Sequence, residues 1–119
     1  MSDFKKLRVW NAAQQLALDS HRIANGLHGP GAVALRDQLV RAAMSIPTNI
    51  VEGNAHESPR ETLRFLGYAL ASTSEVEAHS RLAGSLKMIS EKDCRCLLDS
   101  VEAVRKMLYG FQKAVKNRS

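Results

Sequence analysis

The sequence predicts an all-α fold, an up-down-up-down antiparallel four-helix bundle, and three observations carry that prediction. Apolar residues recur at steps of three and four along four long stretches, the period of a helix with one buried face. Aromatic residues make up only 5% of the chain, and Ala and Leu carry the apolar load, which favours helices over sheets. The breaks between stretches are short and rich in caps and turns, so consecutive helices become antiparallel neighbours. No stretch reads as a strand, and no repeat of solenoid period is present.

The first helix is expected over about 7–26. Val9, Ala13, Leu16, Ser20, Ile23 and Leu27 alternate steps of four and three, a coiled-coil type of seam that Trp10, Ala17 and Ala24 widen. Trp10 reads as a core anchor near the helix start. Gly26-Leu27-His28-Gly29-Pro30-Gly31 cannot continue a helix. The second helix, about 32–53, carries Leu35, Leu39, Ala42, Ile46 and Ile50 on one stripe. Pro47 lies inside that pattern, where it removes a donor and crowds the Ala43 carbonyl, so a kink is expected. Gly53 is expected to stop the helix by turning left-handed.

The third helix, about 59–88, opens on Ser58-Pro59-Arg60-Glu61, a capping box with proline at the first helical position. Its seam is Thr62, Leu66, Ala69, Thr73, Val76, Ser80 and Ala83, flanked by Phe65, Leu70 and Leu86. Small residues from Ala69 to Ser74 let a neighbouring helix come close, and Gly84 weakens the far end. The fourth helix, about 91–116, starts from a Ser90 cap with Glu91 and Asp93 in its first turn, as the helix dipole favours. Cys94, Leu97, Val101, Val104, Leu108, Phe111 and Val115 form its seam.

These 119 residues read as a single domain, 1–119, with 45% hydrophobic and 24% charged residues. No apolar run approaches the ~20 residues that span a bilayer, and no apolar core of a signal peptide follows Met1-Ser2-Asp3-Phe4-Lys5-Lys6. A cytoplasmic protein is expected. Its net charge of +5 is compatible with an anionic partner without demanding one. Cys94 and Cys96 stand one residue apart on a helix, which points their side chains away from each other and makes a disulfide between them implausible. Cys94 is expected to be buried and Cys96 incidental.

Beside the apolar stripe of the second helix runs a polar one: Arg41, Ser45, Asn49 and Glu52. A solvated face is one reading of it. The other starts from Ser and Asn, poor choices inside a helix because their side chains compete for the backbone. Their place beside an apolar seam points to a buried or interfacial hydrogen-bond network, completed by Ser72 and Glu75 of the third helix.

Catalytic chemistry finds little support. A di-iron bundle needs Glu-x-x-His on two helices and a lone Glu on each of the others. Here the spacings are Glu52-x-x-x-His56 and Glu75-x-x-x-His79, and the first helix has no Glu. No glycine-rich oxyanion or phosphate loop accompanies a nucleophile and base, and 26–31 lacks the Lys-Ser/Thr ending of a phosphate loop. No enzyme activity, catalytic residue, metal or cofactor is expected.

Three motifs carry a family resemblance. Phe4-x-x-Leu7-x-Val9-Trp10-x-x-Ala13 is followed by Gln38-x-x-Arg41-Ala42-x-x-Ser45-Ile46-x-x-Asn49-Ile50-x-Glu52-Gly53. Phe65-Leu66-x-x-Ala69-x-x-Ser72-x-x-Glu75-Val76 continues them. Together they resemble the bacterial four-helix-bundle family, also called the 23S rRNA intervening-sequence protein family or S23 family. Val51 and Ala71 depart slightly from it, where a smaller residue and Gly are commoner. The resemblance implies a ring-shaped homopentamer. It also implies kinship with an accessory protein of diversity-generating retroelements, which binds nucleic acid and a reverse transcriptase.

Resemblance and charge together favour a non-enzymatic, oligomeric, nucleic-acid-associated adaptor, with RNA or DNA as partner. A protein-binding scaffold or regulator without a nucleic-acid role is the alternative, and a metal-binding bundle is a distant third. In an up-down-up-down bundle the first turn of helix one and the last turn of helix four share an end. Lys5, Lys6, Arg8, Lys113, Lys116 and Arg118 gather there, which makes them the candidate nucleic-acid-binding residues.

Overall fold

A computed structural model describes residues 3–118 of the chain; Met1, Ser2 and Ser119 lie outside the described residues. Its helices are α1 (Arg8–Ala24), α2 (Ala32–Ala55), α3 (Pro59–Ser85) and α4 (Glu91–Lys116), and a 3-10 turn at Phe4–Lys6 precedes α1. No strand occurs among the described residues. The helices form a closed square in which α1 packs on α2, α2 on α3, α3 on α4 and α4 on α1. The bundle measures 48 × 21 × 20 Å.

The core follows the apolar periodicity. Val9, Ala13, Leu16, Ile23 and Leu27, then Leu35, Leu39, Ala42, Ile46 and Ile50, are all buried. So are Leu66, Ala69, Val76 and Ala83 of α3 and Leu97, Val101, Val104, Leu108 and Val115 of α4. Phe111 and Cys94 of the fourth seam are only half-buried. Cys96 is half-buried too, so the expected contrast between a buried Cys94 and an incidental Cys96 does not hold. Gly84 explains the seat of Cys94: a β-carbon there would come within 2.9 Å of its Sγ, so the missing side chain makes room for the thiol.

Helix ends show where local chemistry departs from expectation. α1 stops at Ala24, and Arg36 of α2 ties down the end, donating from Nε to Ala24 O (3.0 Å) and from Nη2 to Leu27 O (3.1 Å) in the link beyond. Gly31, the residue before α2, has φ 83°, a left-handed turn that glycine enters at little cost. Gly53 does not stop α2. It is helical, and the helix runs through Pro47 and on to Ala55. What Gly53 supplies is clearance, since a β-carbon there would lie 3.2 Å from Thr62 O and 3.2 Å from Phe65 Cβ.

Ser58 caps α3 by accepting from the Glu61 amide (3.4 Å), but the Glu61 carboxylate turns forward to Arg64 rather than back to the cap. α3 ends at Ser85, three residues before the expected limit. Lys87 adopts φ 57°, Met88 N donates to Ala83 O (2.9 Å), and Lys87 N donates to Gly84 O (3.0 Å). That is a Schellman cap built on lysine, where sequence reading looks for glycine.

Candidate nucleic-acid interface

The antiparallel order brings the start of α1, the link between α2 and α3, and the finish of α4 to one end of the bundle. The basic 3-10 turn is fastened there. Asp3 accepts from Lys5 N (3.0 Å), and Asn11 donates through Nδ2 to Lys5 O (3.0 Å) and Leu7 O (2.9 Å). Phe4 meets Trp10 edge-on with centroids 5.0 Å apart. Lys5, Lys6 and Arg8 are therefore exposed on ordered backbone. On the adjacent helix, Lys113 and Lys116 lie exposed in the last turn of α4, where cations also complement the helix dipole. Arg118 follows, its amide donating to the carbonyl of buried Val115 (3.1 Å). All six candidate residues thus share one end and face solvent.

That end holds side chains that the sequence reading did not assign to binding. His56 at the end of α2 stacks on Phe65 of α3, and Arg60, Arg64 and Tyr68 follow along α3. Aromatics flanking a seam read as core from sequence. The usable signal was their spacing, Arg64-Phe65 followed by Tyr68 one helical turn on, at a helix start that the antiparallel order brings to the basic end.

Within the chain the polar network is smaller than expected. Ser45 hydrogen-bonds Ser72 across the α2–α3 boundary and lies 2.9 Å from Ala42 O. Half-buried Asn49 donates through Nδ2 to Ser45 O (2.8 Å), a bond inside α2 rather than a link to α3. Arg41, Glu52 and Glu75 are exposed in the single chain, so of the two expected settings, buried or interfacial, burial inside the subunit does not hold for them. Arg41 and Glu75 instead border a small cleft of about 200 Å³ shared with Gln38, Ala42 and Ser45. The physical reason is helical phase. α2 turns Leu39, Ala42, Ala43 and Ile46 to the core, which leaves Arg41 and Glu52 on the outer edge.

α1 and α2 also carry an apolar groove of about 450 Å³, lined by Phe4, Trp10, Leu18, Met44, Pro47 and Val51 among others. Trp10, expected as a core anchor, is half-buried and forms part of its wall. Leu18 and Met44 are 56% and 57% exposed, large apolar surface for an isolated chain to leave in water. Among the described residues no three His, Cys, Asp or Glu side chains converge as metal ligands, and no helix is long and apolar enough to cross a membrane.

The comparisons agree with this architecture. The chain is similar to a Bacteroides thetaiotaomicron protein of unknown function from the S23 ribosomal protein family, whose crystal structure superposes with a TM-score of 0.80. The two are 19% identical, and the match covers 88% of this chain and 98% of the other. At that identity the likeness speaks for the fold alone. No curated protein matches the sequence. The family described as 23S rRNA-intervening sequence protein matches residues 5–110, nearly the whole bundle. The chain belongs to the 23S rRNA-intervening sequence protein family.

Proposed function

We propose that this chain is a non-enzymatic, cytoplasmic, oligomeric adaptor that associates with nucleic acid through the basic end of the bundle. The observation that carries the reading is the placement of Lys5, Lys6, Arg8, Lys113, Lys116 and Arg118 on one end, all exposed. Cations grouped on a rigid surface displace counterions from phosphates and bind with a strong dependence on salt.

Self-association belongs to the same reading. The apolar groove on α1 and α2 accepts a second copy, while Leu82, Leu86 and Tyr109 expose apolar surface on the half of the bundle formed by α3 and α4. Two different patches make a heterologous contact, which closes into a ring when the rotation allows; a pentamer is the ring we favour. A ring repeats the basic end in every subunit, so weak phosphate contacts add through multivalency.

The experiment is a salt titration of binding to mixed RNA and DNA, comparing the native chain with the triple charge reversal Lys113→Glu, Lys116→Glu, Arg118→Glu. The expected result is weaker binding and a flatter dependence on salt in the variant. Unchanged binding would place the site elsewhere, and no binding by the native chain would reject the reading. In that second case the groove favours a protein-binding scaffold, detectable as protein partners recovered from cells after nuclease treatment.

A further inference from the structure

Around the start of α3 lies an ordered cluster of flat side chains. The His56 ring is parallel to Phe65, with centroids 5.2 Å apart and planes 9° apart. Tyr68 meets Phe65 edge-on at 5.7 Å. The Arg64 guanidinium carbon sits 4.7 Å from the Phe65 centroid and 5.6 Å from that of Tyr68. Phe65 is half-buried and anchors the cluster, whereas His56, Arg64 and Tyr68 are exposed, Tyr68 by 47%.

Each member is held in place before any ligand arrives. Glu61 grips Arg64 with both oxygens, at 2.9 and 3.2 Å, and Arg64 Nη1 donates to Tyr68 Oη at 3.1 Å. The His56 amide donates to Gly53 O (3.3 Å), and its carbonyl accepts from the Thr62 hydroxyl (3.4 Å). Preorganised aromatic surface loses little conformational freedom when something flat is laid on it.

The charge around the cluster narrows the kind of ligand. Arg60 and Arg64 are matched in number by Glu57 and Glu61, so between residues 57 and 64 acids and bases cancel. Such a patch is poorly suited to drawing phosphates to itself. It suits the π-face of a base, which stacks on aromatic rings and guanidinium planes whatever its sequence. The phosphates find their cations on the same end of the bundle, at the start of α1 and the finish of α4.

We propose that His56, Arg64, Phe65 and Tyr68 form a stacking platform for unpaired bases of a single-stranded nucleic acid whose backbone runs over the basic end. The inference rests on the nucleic-acid reading above and adds which strands are taken. A duplex keeps its base faces stacked on one another and cannot use the platform, so single strands bind in preference.

The test uses the full chain with a short single-stranded RNA carrying 2-aminopurine, the DNA strand of the same sequence, and the perfect duplex of each. Expected are quenching of 2-aminopurine by the native chain and tighter binding of single strand than duplex. Binding of RNA and DNA strands alike, or of RNA better, supports the platform. Tyr68→Leu should weaken single-strand binding by about tenfold, abolish most of the quenching and leave the salt slope unchanged. His56→Ala should act in the same direction, and Tyr68→Phe should keep both affinity and quenching, with circular dichroism verifying that each variant folds. The charge reversal on α4 should do the opposite, flattening the salt slope while the quench persists at saturation. The platform is overturned, with the basic end left standing, if Tyr68→Leu binds single strands as the native chain does or if the duplex binds better. Should the native chain bind neither form, both readings fall together.

Discussion

Gly53 and Phe65 meet where α2 and α3 come closest to their shared link: a β-carbon on Gly53 would stand 3.2 Å from that of Phe65. The same β-carbon would lie 3.2 Å from the Thr62 carbonyl oxygen, a backbone atom with little freedom to give way. Gly53→Val should therefore lower stability by roughly 1–3 kcal/mol through overpacking. Gly67, on the same pair of helices, has nothing within 4 Å of its would-be side chain. Gly67→Ala should raise stability by about 0.5–1 kcal/mol, the cost of glycine inside a helix. Urea unfolding of the two variants checks both signs.

Glu77 joins α3 to α4. Its Oε1 lies 2.5 Å from Arg105 Nη2 and its Oε2 3.0 Å from Arg81 Nε. The Arg105 hydrogen bond, then that of Arg81, holds the Glu77 carboxyl below the usual carboxylate range. The folded chain thus binds fewer protons at this site than the unfolded chain as acid is added. Its contribution is complete above the unfolded value, in the ordinary carboxylate range, and is lost as pH falls through the lower folded value. Glu77→Gln should cost roughly 0.5–1 kcal/mol at neutral pH, as a partly exposed pair does. The difference from the native chain should shrink in acid, as melting curves taken from pH 7 down to 3 would show.

The groove on α1 and α2 predicts self-association. Light scattering at micromolar concentration should give a mass that is a multiple of 13.1 kDa. Leu18→Glu with Met44→Glu should reduce it toward a single chain without loss of helix, because both side chains are exposed within the subunit. A native particle of one chain would reject the assembly.

Two core hydroxyls, Ser20 Oγ and Ser80 Oγ, are buried without a hydrogen-bond partner among the described residues. A polar group removed from water and left unpaired is destabilising. Ser20→Ala and Ser80→Ala should each raise stability by about 1 kcal/mol, measured by thermal melting. A loss of similar size in both would mean that the hydroxyls are satisfied in solution.

Periodicity made the helices and their buried faces legible, since which residues reach the core depends mainly on phase. It did not predict how helices end. The Arg36 clamp on Ala24 and Leu27 reaches back from another helix, and the left-handed Lys87 supplies what glycine usually does. The polar stripe of α2 was legible as a pattern but not as a network. Phase alone does not say whether a side chain on the outer edge finds a partner, and Arg41, Glu52 and Glu75 find none within the described chain. The basic end followed from topology and charge counting. The place of His56 in the platform did not, because its stacking on Phe65 across the α2–α3 link depends on a turn whose path no periodicity encodes.

The closed square also has a history. Three of its four contacts join consecutive helices, whereas α1 and α4 meet across almost the whole length of chain. Closing so large a loop is entropically costly until both helices are in place, so neighbouring pairs such as α2–α3 order early and α1–α4 closes late. Substitutions such as Val9→Ala or Val115→Ala, on the buried faces of those two helices, should then speed unfolding while leaving the folding rate nearly unchanged. The basic end is built from the two helices that meet last. A chain arrested before that step, with its α2–α3 hairpin already formed, would carry the charges of the proposed surface but not the surface itself.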